Sequence, residues 1–95
     1  MAQGMKILWT KAAIVHLGEA REYIAIDNPT AAARQIELIE ASVNRLRAFP
    51  MMGRTGRRSG TRELPIPATP YILVYRVERD IVQILAVLHG ARNWA

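Results

Sequence analysis

The chain has 95 residues, 51% of them hydrophobic and 22% charged, with a formal net charge of +5 and no cysteine. A chain of this length buries roughly 60 to 65% of the surface its unfolded form exposes, enough for one core and a single domain spanning residues 1–95. The composition excludes a disordered chain, disulfide staples and thiolate chemistry; with no long apolar run to make a signal or a membrane helix, a cytoplasmic protein is expected.

Eleven arginines and only two lysines, Lys6 and Lys11, carry the positive charge. Guanidinium forks make paired bonds to carboxylate or phosphate, so this bias points to an acidic partner: a protein, a nucleic acid or a complex of the two. The densest run is Arg45 to Arg62, six arginines with no acidic residue.

In chain order, Met1 to Gly4 has no pattern and is expected to be a flexible leader, with Met5 as an alternative start. Lys6-Ile7-Leu8-Trp9 reads as a short strand. Thr10 offers an N-cap hydroxyl, and Ala13, Leu17, Ala20 and Ile24 recur at helical spacing, predicting a helix to Ile26. Asn28 and Pro29 suit the cap and first position of a second helix, whose stripe of Ala32, Ile36, Ile39, Val43 and Leu46 carries it to about Ala48. So short a connection makes an antiparallel helical hairpin.

Pro50 closes that helix, and Met51 to Gly60, with three glycines and no periodicity, reads as a mobile loop. Three strands follow, Thr61 to Ile66, Tyr71 to Glu78 and Ile81 to His89, forming an antiparallel meander. The fold class is therefore α+β: a strand, a helical hairpin and a three-stranded meander, β-α-α-β-β-β. The last strand is apolar on both of its faces, while one hairpin covers only one. The second face is therefore expected to be partly apolar and completed by a partner. Trp94 is expected to fold back and bury its ring.

Gly53-Arg54-Thr55-Gly56 follows a helix and lacks the lysine of a phosphate-binding loop. His16 and His89 are the only histidines, so the usual zinc ligand sets cannot be assembled, and no metal or cofactor is expected. Neither serine sits in a nucleophile elbow. His16 with Glu19 is expected on the solvent side of the first helix, and Glu63 is expected to make a local ion pair with Arg62. Metal-free RNA cleavage is the one reaction left open, with Arg62 and Arg92 supplying cations and His89, together with Tyr71 or Tyr75, serving as acid and base toward the RNA.

An ordered set of short motifs spans nearly the whole chain: Trp9-Thr10 with Ala13; Tyr23-Ile24-Ala25, Asp27-Asn28-Pro29 and Ala31-Ala32; Pro50 with Gly53-Arg54; Gly60-Thr61-Arg62-Glu63-Leu64; Pro70-Tyr71 with Tyr75-Arg76-Val77; and Leu88-His89-Gly90-Ala91-Arg92 with Trp94. Together they resemble the ParE/RelE superfamily, the toxins of bacterial type II toxin–antitoxin pairs. ParE-like plasmid-stabilisation proteins are among them.

The resemblance implies an acidic antitoxin, ParD-like or RelB-like, whose tail wraps the toxin in a hetero-oligomer. It also implies one of two targets. ParE-like members poison DNA gyrase by binding, whereas RelE-like members enter the ribosome and cut mRNA using lysines, arginines and a tyrosine. No lysine follows Lys11, which favours the ParE-like reading. On that reading Arg54, Arg57, Arg58, Arg62, His89 and Arg92 form the target-binding rim; on the ribonuclease reading Arg62, Tyr75, His89 and Arg92 are the catalytic candidates.

Overall fold

The computed structural model describes residues 4–90; Arg92 and Trp94 lie outside them. The elements are β1 (Lys6–Trp9), α1 (Lys11–Asp27), α2 (Pro29–Arg45), β2 (Arg54–Thr55), β3 (Arg62–Pro65), β4 (Tyr71–Glu78) and β5 (Ile81–His89). One sheet in the order β1-β5-β4-β3-β2 is antiparallel throughout, except that β1 runs parallel to β5.

Local chemistry sets the helix boundaries. The Thr10 hydroxyl oxygen accepts the N–H of Ala13 at 3.1 Å and donates to the Ile84 carbonyl at 2.9 Å, so the α1 cap also anchors the helix to β5. Asn28 serves both helices. Its N–H donates to Ile24 O at 3.0 Å, ending α1, and its side-chain oxygen accepts from the N–H of Ala31 at 3.1 Å, starting α2 with Pro29 in its first turn.

The predicted α2 stripe is the buried one: Ala32, Ile36, Ile39, Val43 and Leu46 are all at most 5% exposed. The helix stops earlier than Ala48. From Leu46 to Ala48 the N–H groups bond three residues back, to Val43, Asn44 and Arg45, so the chain still coils but the α ladder has ended.

The helices cover one face of the sheet, where Leu73, Tyr75, Val82 and Ile84 are fully buried against Ala13, Ala20, Ile36 and Ile39. On the other face the alternate residues Ile72, Val74, Ala86 and Leu88 are only half-buried. The last strand is thus apolar on both faces but covered on one. A β-bulge at Val74/Tyr75 shifts the register, and β5, one residue longer than β4, places Leu85 opposite no partner.

The segment expected to be a mobile loop contains β2, which pairs Arg54 with Glu63 and Thr55 with Arg62. Its glycines make this possible. A Cβ on Gly53 would lie 2.6 Å from the Tyr75 hydroxyl, one on Gly56 would collide with the Thr61 side chain, and Gly60 turns at φ +80°.

Candidate partner and target interface

The arginine-rich segment divides between the two faces of the sheet. Arg62 lies opposite Tyr75, on the helix side, and its guanidinium donates to the Gly53 carbonyl at 2.9 Å. The Tyr75 hydroxyl accepts from the N–H of Gly53 and donates to the Pro50 carbonyl, each at 2.8 Å. These bonds pin the turn after α2 onto the sheet. Burial pushes the Tyr75 hydroxyl above the ordinary value of 10.0, opposed by its bond to Gly53 and by the charge of Arg62.

Glu63, one residue on, points to the opposite face, so the expected pair with Arg62 does not form. It is 2% exposed, accepts the N–H of Arg57 at 3.0 Å, and meets the Arg54 guanidinium at 3.5 Å. Period-two alternation was the signal for this, because neighbours on a strand face opposite ways.

Beside Glu63 a groove of about 520 Å³ runs along the open face, with Val74, Leu85, Ala86 and Leu88 as its apolar floor and Arg57, Arg58 and Thr61 as its wall. Apolar surface flanked by arginine matches an amphipathic acidic protein segment better than a bare nucleic-acid backbone, which offers no apolar side chains to the floor.

His89 lies elsewhere. It faces Tyr71 across the strand pair, with ring centroids 5.5 Å apart, and Tyr23 of α1 at 6.3 Å, both edge-on. Tyr71 and Tyr75 are four residues apart on β4, roughly 13 Å at the rise of a strand, so His89 does not share a site with Arg62 and Tyr75.

Tyr23 escaped the sequence reading of this corner, since nothing in a helical pattern announces a neighbour 66 positions away. His16, expected on the solvent side of α1, is half-buried and its Nδ1 accepts the N–H of Val87 at 3.3 Å. With Thr10 it takes over the edge of β5 where β1 has ended. Among the described residues no group of three or more His, Cys, Asp or Glu could hold a metal ion, and no helix is long and apolar enough to cross a membrane.

A family model described as the ParE toxin of the type II toxin–antitoxin system parDE matches residues 7–94. The chain is 44% identical over 89 residues to Y4kP of Sinorhizobium fredii, named as a candidate toxin, covering 94% of this chain and 92% of that one. It is 31% identical over 87 residues to the toxin RelE2 of Caulobacter vibrioides, covering 92% and 97%. A structure of the chromosomal ParDE toxin–antitoxin system from P. aeruginosa superposes with a TM-score of 0.77 at 27% identity, covering 87% of this chain and 92% of the other. With a family model spanning nearly its whole length and two toxin relatives above 30% identity, the chain belongs to the ParE toxin family of type II toxin–antitoxin systems.

Proposed function

We propose that this protein is a non-nucleolytic toxin that acts in the cytoplasm on DNA gyrase and is neutralised by an acidic cognate antitoxin lying on the open face of the sheet. The supporting observation is the commitment of Tyr75. It is fully buried, its hydroxyl both accepts and donates within the fold, and burial raises its pKa, so it is poorly suited to exchange protons with a substrate. His89 stands about four strand residues away from it. The arrangement suits binding better than acid–base chemistry.

Arg54, Arg57, Arg58, Arg62, His89 and Arg92 are the residues proposed to contact the target. Purified toxin is expected to inhibit gyrase supercoiling or to trap cleaved DNA, and supercoiling unaffected at toxin excess overturns this reading.

The 31% identity to a protein named RelE2 favours a second reading, a ribosome-dependent mRNA endoribonuclease, whose candidates Arg62, Tyr75, His89 and Arg92 would have to act from the two separate places at which Arg62 with Tyr75 and His89 stand. That reading requires mRNA cleavage on translating ribosomes, weakened by His89→Ala. Induction in cells separates the two: gyrase poisoning gives DNA damage signalling and filamentation, whereas ribosomal cleavage halts protein synthesis first.

A further inference from the structure

Glu63 has no part in the function proposed above, yet it is the one acidic side chain buried in the most basic part of the molecule. Its neighbours on the same face, Val74, Ala86 and Leu88, are apolar. An apolar residue there would extend the groove floor and avoid desolvating a carboxylate, so stability alone gives no reason for a glutamate.

A carboxylate at this position does what no apolar residue can. One oxygen accepts the N–H of Arg57 at 3.0 Å, and the other meets Arg54 at 3.5 Å. The rest of the loop is tied in a similar way. The Thr61 hydroxyl donates to Arg58 O at 2.6 Å, the Thr61 N–H donates to the same oxygen at 3.2 Å, and the Gly56 N–H donates to Thr61 O at 2.8 Å. Held by its backbone in this way, the loop brings Arg57 and Arg58 to the wall of the groove.

We propose that Glu63 is a positioning residue: its buried carboxylate fixes the backbone of the basic loop so that Arg57 and Arg58 stand over the apolar floor where an acidic antitoxin segment binds. This rests on the open face being the antitoxin surface. Ordering the loop before association lowers the conformational cost of binding, which raises affinity without adding a contact.

The experiment uses the full chain and the antitoxin of its own toxin–antitoxin pair. Amide hydrogen exchange is followed by NMR in the free toxin, and antitoxin affinity by calorimetry. Glu63→Ala removes a hydrogen bond to a charged acceptor, so the Arg57 amide is expected to exchange about tenfold to a hundredfold faster. Core amides of β4 and β5 should stay unchanged, and antitoxin affinity should fall about tenfold. Glu63→Gln keeps a side-chain acceptor and is expected to recover most of both.

An unchanged Arg57 amide, core amides that accelerate in parallel, or full affinity despite a freed loop each overturn the proposal. Should Glu63→Ala fail to fold, Glu63→Asp keeps the charge but draws the carboxylate back, and the same loop-confined acceleration is expected. A protected Arg57 amide in that variant overturns the proposal equally. The double variant Arg57→Glu/Arg58→Glu tests the underlying reading on its own: undiminished antitoxin affinity there removes the open face as the antitoxin surface, whatever Glu63 does.

Discussion

The two faces of the sheet are made by the same strands, yet one is closed and the other open. On the helix side Leu73, Tyr75, Val82 and Ile84 have no exposed surface, whereas on the other side Ile72, Val74, Ala86 and Leu88 remain partly exposed beside two arginines. The chain carries more apolar strand surface than its single hairpin can cover. The first face supplies stability, and the second holds unburied apolar area in reserve for another molecule.

The sharpest way to break this contrast is to truncate the same kind of side chain on each face. Ile84→Ala, on the closed face, is expected to destabilise the protein by about 2 to 5 kcal/mol, measured by chemical denaturation. Leu88→Ala, on the open face, should cost less, about 1 to 2 kcal/mol, because part of its surface is still exposed in the free protein. Antitoxin affinity should reverse the order, with Leu88→Ala the more damaging. Equal stability losses would mean that the open face is already a working part of the core.

Next in size is the junction between the closed face and the basic loop. Tyr75→Phe preserves the ring in the core but leaves the Gly53 N–H and the Pro50 carbonyl without their partner, a loss of about 1 to 3 kcal/mol in a denaturation midpoint. If Tyr75 were instead free for proton transfer, the substitution would leave stability nearly untouched.

Smaller still is the effect of the α1 cap. Thr10→Ala removes the acceptor for the N–H of Ala13 and the donor to Ile84, and is expected to lower stability by about 1 to 2 kcal/mol. Thr10→Ser keeps the hydroxyl and should recover most of it. Both belong to the closed side, so neither should change antitoxin affinity at temperatures where the protein is folded.

How much of this was legible beforehand follows from the range over which each signal acts. The Asn28-Pro29 junction, the α2 stripe and both long strands rest on local spacing and were readable to within a residue or two. Two things were not. A strand as short as Arg54–Thr55 has no periodicity of its own and exists because Gly53 and Gly56 let the backbone approach Tyr75 and Thr61.

The arginines also looked like one cluster because they are close in sequence. Alternation along β3 sends Arg62 to the helix side and Glu63 to the groove, while His89 pairs with Tyr71, four residues along β4 from Tyr75, the partner of Arg62. A candidate site drawn from sequence proximity therefore merged groups that the pleat separates.

The smallest expected effect is one of pH. Burial holds the Tyr75 hydroxyl above its ordinary value of 10.0, so below about pH 10 it is neutral in both folded and unfolded chains and its contribution is complete. As pH rises further the unfolded chain loses this proton first, which favours unfolding until the folded-state value is passed. Stability of the wild type should therefore fall more steeply above pH 10 than that of Tyr75→Phe. The comparison is made by denaturation midpoints at several alkaline pH values, with Tyr23, Tyr71 and the lysines common to both proteins and cancelling in the difference. Parallel curves would mean that the hydroxyl titrates as it does in water, and that the closed face admits solvent at the point where it meets the basic loop.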